Sequence, residues 1–147
     1  IEKQIVITGK VKKEWTPVKR RLRKTAKKKI VVLFGDPNKP DLLKPCAVFD
    51  DDDLYTIDQL KSALHTLKAY DFTYLSNHNT IISDLNKLSG KIDLALNLCD
   101  EGYNNDPRKE LHIPALLEML DLSYTGSSSQ CLAFCYRQKL AKSVGRW

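Results

Sequence analysis

The sequence predicts an open α/β fold, a mostly parallel sheet of about four strands with helices on both faces. Short apolar runs alternate with stretches of helical periodicity. The first run is apolar without interruption, as in a strand covered on both sides. Clusters of Gly, Pro, Asn and Asp separate the segments. Such alternation implies βαβ crossovers and therefore parallel pairing. No internal repeat is present.

The first strand is Ile30-Val31-Val32-Leu33-Phe34, ended by Gly35-Asp36-Pro37, and the Pro- and Asp-rich stretch from Asn38 to Asp53 reads as a loop. Leu54, Ile57, Leu60, Leu64 and Leu67 then recur at helical spacing, with Asp and Thr residues placed to cap the start. Phe72-Thr73-Tyr74-Leu75 is a second strand. Ile81, Ile82, Leu85 and Leu88 mark a second helix closed by Gly90. The third strand runs from Ile92 to Leu98, followed by the loop from Cys99 to Pro107. Leu111, Ala115, Leu116, Met119 and Leu120 give a third helix, and Leu122-Ser123-Tyr124-Thr125 a short fourth strand. Gly126-Ser127-Ser128 turns into a last helix expected from about Ser129 to Val144.

The 147 residues are enough for one ordinary domain, and 42% hydrophobic with 29% charged residues excludes a disordered or fibrous chain. No apolar run approaches the ~18 residues a membrane helix needs, and the N-terminus carries no secretory signal pattern. A cytoplasmic protein without a membrane span is the expectation. Charge divides the chain. Residues 1–29 hold twelve Lys and Arg against two Glu, whereas residues 30–147 hold twelve against sixteen Asp and Glu. Residues 1–28 are read as a basic extension or linker and 29–147 as the α/β domain. The basic run has no interleaved aromatics to stack bases, which disfavours nucleic acid as a partner. A solvated tail is the commoner outcome.

Cys46, Cys99, Cys131 and Cys135 show no CxxC spacing, and no His lies near the pair four residues apart. A zinc site is disfavoured and buried free thiols in a reducing cytosol are expected. His65, His78 and His112 are scattered, outside any motif with Ser or Cys, and His112 reads as a packed or surface residue. GxGxxG and GxxxxGK[ST] are both absent. Asp50 to Asp53 suit a metal or an amine or, more commonly, a solvated loop and helix cap.

Ligands of an open parallel sheet gather beyond the carboxyl ends of its strands. Three loops fall there: Gly35 to Asn38, Asn97 to Gly102, and Tyr124 to Ser128. The last offers N–H groups and hydroxyls at a helix start, a seat for an anion or simply a turn and cap. The middle one places Glu101 beside Gly102, suited to a cationic ligand group. Glu101, Gly102, Tyr124, Gly126 and Ser127 are the candidate substrate-binding residues.

The stretch DLALNLCDEGYNNDPRKELHIPALLEMLDLSYTGSSSQCLAFC, from Asp93, carries Asn97, Glu101-Gly102, Arg108, Glu110, Pro114 to Glu118 and Tyr124-Thr125-Gly126-Ser127. It resembles the N-terminal, pre-ATP-grasp domain of the D-alanine–D-alanine ligase-like family. The strand KKKIVVLFG fits the family's first strand, and the resemblance spans about residues 28–144. It implies a Rossmann-like fold and one side of the amino-acid site of an ATP-dependent carboxylate–amine ligase acting on peptidoglycan precursors. In that chemistry ATP phosphorylates one amino acid's carboxylate, with magnesium ions offsetting the charge, and a second amino acid's amine attacks. ATP and magnesium are thus cofactors of the whole ligase and none is expected for these residues alone. The partners implied are an amino acid or other small molecule, an ATP-grasp domain or full-length ligase, and a second copy in a homodimer.

Two departures accompany the resemblance. The best-known subgroup has a Glu-His-Glu box after the first strand, whose first Glu holds the ammonium; here Asp36-Pro37-Asn38-Lys39-Pro40 stands instead. In the final helix the family's Asp-Lys pair aligns with Arg137-Gln138. Lys139, the candidate ATP contact, is one residue late and so turned by about 100°. No activity is expected from the 147 residues by themselves. Two alternatives are a truncated paralogue serving as a binding or regulatory module beside a complete ligase, and a nucleic-acid-associated protein using the basic N-terminus.

Overall fold

A computed structural model describes residues 26–41, 44 and 49–135. The basic extension, Cys46, Lys139 and most of the expected last helix lie outside them. Strand β1 (Lys28–Leu33) is followed by α1 (Asp51–His65), β2 (Tyr70–Leu75), α2 (Ile81–Leu88), β3 (Leu94–Asn97) and α3 (His112–Met119). Two short 3-10 turns, Tyr103–Asn105 and Pro107–Lys109, lie between β3 and α3. A helical segment over 129–135 closes the described chain.

The sheet is open and parallel in the order β2-β1-β3, with Ile30 facing Phe72 on one side and Leu94 on the other. Three strands form rather than the expected four. The segment at Tyr124 makes one parallel bridge to Ala95, through Ala95 N–H to Ser123 O (2.8 Å) and Thr125 N–H to Ala95 O (3.0 Å). Left-handed backbone at Asp121 (φ 52°) and Gly126 (φ 104°) turns the chain in and out within five residues, too short a run for a ladder.

Alternation along β1 explains the layering. Val31 and Leu33 point to one face, where they pack with Ile81 and Leu85 of α2 and Ile113 and Leu117 of α3. Ile30, Val32 and Phe34 point to the other, against Ile57, Leu60 and Leu64 of α1. The buried stripe of α3 differs from the expected one. Ile113, Pro114 and Leu117 are buried while Met119 is 81% exposed. At the start of α1, Asp50 accepts from Asp53 N (3.0 Å) and Asp53 accepts from Asp50 N (3.1 Å), a capping box. Lys44 pairs with both carboxylates.

Right-handed crossovers require α1 and α2 on opposite faces, because β1 to β2 and β2 to β3 step across the sheet in opposite directions. Beyond the carboxyl ends of β1 and β3 the outgoing chains therefore part, α1's to one face and α3's to the other. A crevice opens between them.

Candidate functional site

That crevice is a cavity of about 560 Å³. Its floor is Phe34-Gly35 after β1 and Asn97 to Glu101 after β3. Thr56, Ile57 and Leu60 of α1 form one wall, Glu110 and Pro114 a second, and Gly126, Ser127 and Leu132 a third. All three loops expected at this edge contribute to it.

Within the first loop only Gly35 faces the cavity. Asp36 is 1% exposed and turns inward, where its carboxylate accepts from Asn38 N (3.0 Å) and His78 N (2.9 Å). Asn105 clamps the same loop, accepting from Asp36 N (2.9 Å) and donating to Asp36 O (2.7 Å) and Lys39 O (3.1 Å). The fully buried His78 ring accepts from Asn104 N at Nδ1 (2.7 Å), so its proton sits on Nε2 and is donated to Phe34 O (3.0 Å). Desolvation pulls the imidazole below its ordinary pKa, against the opposing pull of the Phe34 carbonyl and Asp36. The chain ends after β1, β2 and β3 are thus tied into one polar lattice behind the cavity.

Nothing in the motifs pointed to this lattice. The signal available was indirect: Asn104-Asn105 tolerates left-handed backbone, and the pair adopts φ 61° and 53°. Cys99 lies 3.7 Å from His78 Nε2, yet its thiol donates to Gly102 O (3.5 Å) and burial pushes its pKa up to about 12. It is a packing residue rather than a nucleophile. Cys131 and Cys135 are exposed, against the expectation of buried thiols, because they fall on the outer side of their helical segment.

Glu101 is the group the lattice presents to the cavity. Its side chain folds over the end of β1 so closely that a Cβ on Gly35 would stand 2.7 Å from Oε2 and 2.8 Å from Phe49 Cζ. Only glycine at position 35 admits this approach. Among the described residues Oε2 is buried without a hydrogen-bond partner. Burial raises the carboxyl pKa to about 7; the charge of Asp100, a hydrogen bond from the protonated carboxyl to Asp100, and the charge of Asp41 push in the same direction.

The other sequence candidates divide. Gly126 and Ser127 line the cavity. Gly102 has a backbone role: at φ 81° an added Cβ would collide with Asp106 O. Tyr124 turns away, donating to Glu118 Oε1 (2.6 Å). The expected anion seat at the helix start is taken by the protein itself. The Glu118 carboxylate accepts from Ser129 N (3.0 Å) and from its hydroxyl, and Ser128 Oγ accepts from Cys131 N (3.2 Å). Asp50 and Asp53 are engaged in the cap of α1, and His65 and His112 are exposed. Among the described residues no three His, Cys, Asp or Glu converge on a metal position, and no helix is long and apolar enough to cross a membrane.

Fold and cavity together define an open α/β domain with an acid-bearing pocket at its topological switch point. In comparisons with known proteins, no family model and no curated protein matches the chain.

Proposed function

We propose that this domain holds the amino-acid end of the substrate in an ATP-dependent carboxylate–amine ligation of the D-alanine–D-alanine ligase-like kind. One observation carries the reading: Glu101 lines the cavity formed where β1 and β3 end, and its Oε2, packed over Gly35, is buried without a hydrogen-bond donor among the described residues. A buried acceptor without a donor is costly, and a ligand ammonium supplies both the missing hydrogen bond and the opposite charge. The YTGS turn and the PALLE helix support the same reading, since they build the other two walls of that cavity.

Among the described residues no three His, Cys, Asp or Glu converge on a metal position, and the donors of Ser129 at the last helical segment are taken by Glu118. The resemblance assigns phosphoryl transfer to the ATP-grasp part of such a ligase. The work assigned to these residues is binding and orientation, which fixes the amino acid relative to the reacting groups.

The test is a titration of the ¹⁵N-labelled 147-residue chain at pH 8 with a panel of free amino acids, D-alanine first. Amides of Gly35, residues 99–102 and Ser127 are expected to shift at roughly millimolar concentrations, the affinity of a small ligand held by one charged contact. The proposal fails when no member of the panel, at tens of millimolar, moves them.

A further inference from the structure

The walls of the cavity decide which part of an amino acid is recognised. Its described lining contains four carboxylates, Asp53, Asp100, Glu101 and Glu110, and no Lys, Arg or His. The nearby cations are committed elsewhere: Lys44 to Asp50 and Asp53, and Lys61 above the rings of Phe34 (5.9 Å) and Tyr74 (5.7 Å). The helix start that could have received an anion is satisfied by Glu118 and Ser128. Among the described residues, an anionic group entering this space meets like charge, with only the neutral side chains of Thr56, Asn97 and Ser127 to donate to it.

The remaining surface is apolar. Phe34, Phe49, Ile57, Leu60, Leu98 and Leu132 surround the approach to Glu101, and about 560 Å³ is far more than an alanine methyl fills. Apolar walls favour ligands that cover them, by roughly 25 cal/mol for each Å² removed from water.

We infer that the cavity takes a primary ammonium carrying a bulky apolar body, with the ammonium on the Glu101 carboxylate, the body against α1 and Leu132, and no cationic side chain in the described lining to pair with a ligand's carboxylate. This deepens the ligase reading and rests on it: the domain selects its amino acid by ammonium and side chain, and the carboxylate is left facing outward. Gly35 is the positioning residue, since it alone lets Glu101 lie over β1.

The experiment uses three probes of one shape on the full chain at pH 8, followed by amide shifts at residues 99–102. They are 2-phenylethylamine, phenylalanine and 3-phenylpropionate, with D-alanine for size. The amine is expected to bind tightest, phenylalanine within about tenfold of it, and D-alanine and 3-phenylpropionate at least about tenfold weaker, each factor of ten being 1.4 kcal/mol. Glu101→Gln is expected to weaken the amine about tenfold and to erase the discrimination against 3-phenylpropionate. Equal binding of the amine and the carboxylate, or an unchanged Glu101→Gln, overturns the inference. Binding of phenylalanine and D-alanine without the amine overturns it while the amino-acid reading stands. Silence from all amine-bearing probes removes both.

Discussion

Replacing Glu101 by Gln tests whether the carboxylate is kept for the fold or for a ligand. In the folded chain the Glu101 pKa is raised from 4.5 to about 7, first by burial, then by the charge of Asp100 and its hydrogen bond with the protonated Glu101, and last by the charge of Asp41. A carboxyl whose folded pKa lies above its unfolded value binds more protons in the native state, so its contribution favours folding below pH 4.5. That contribution fades as pH rises from 4.5 and has become a penalty above 7. At 1.36 kcal/mol per pKa unit the full penalty has a ceiling of about 3 kcal/mol. The side chain is only partly buried, and solvent screening reduces this to roughly 1 kcal/mol. Gln keeps the shape and discards the charge. Glu101→Gln is therefore expected to be more stable than the parent at pH 8, raising the urea midpoint by roughly 0.5 M for an m-value of about 2 kcal/mol/M. Below pH 4.5 the two midpoints are expected to converge. Urea denaturation followed by circular dichroism at pH 4, 6 and 8 checks both. A variant less stable than the parent at pH 8 would show that the carboxylate is held by the fold, and the ligand-directed reading of Glu101 would be refuted.

The other predictions concern the scaffold. Lowered in the fold by burial, the His78 pKa gives a contribution of opposite sign, present above pH 6.5 and lost as pH falls through the folded value. In wild type the two slopes oppose, so the Glu101→Gln chain is expected to lose stability on acidification more steeply than its parent, as midpoints at pH 7 and 5 would reveal. Gly102→Ala is expected to destabilise by about 2 kcal/mol or more, from the left-handed φ of 81° and the collision with Asp106 O, measured by urea denaturation. Gly35→Ala should fold with a smaller loss and bind 2-phenylethylamine about tenfold more weakly, because the new Cβ displaces the Glu101 side chain. Peptide mapping after brief thiol labelling is expected to find Cys131 and Cys135 modified, and Cys99 modified only once urea has unfolded the chain.

What could be read in the sequence was what local chemistry determines. The continuous run Ile30 to Phe34 is the central strand because residues on both its faces meet helices, and a run without polar interruption records that directly. Asp50 and Asp53 are spaced for a reciprocal cap and form one. The edge at which Gly35, Glu101, Gly126 and Ser127 meet follows from strand order alone. The misreadings arose where tertiary contacts decide. Met119 fits the helical period of α3 yet is exposed, since the sheet takes the stripe of Ile113 and Leu117 instead. Tyr124 and the start of the last helical segment carry the pattern of a ligand-binding turn, but Glu118, on the neighbouring α3, consumes their donors. That carboxylate lies eleven residues before Ser129, and spacing gives no hint of it.

The contrast between the back and the front of the site is itself an argument about purpose. Behind it, Asp36, His78 and Asn105 satisfy one another through a web linking residues as far as 69 apart in sequence. The left-handed backbone of Asn104 and Asn105 is held there by the bonds their own groups make. Such a lattice stiffens the three loops and could as easily have paired every carboxylate within reach, as it does with Asp36. Glu101 sits four residues before Asn105, on the same stiffened loop, and keeps Oε2 dry and without a donor. A group left unsatisfied by a mobile surface would soon find water. The lattice also leaves Asn104 Oδ1 buried without a partner, so what sets Glu101 apart is its place in the cavity lining and its charge, and the group a carboxylate there calls for is positive.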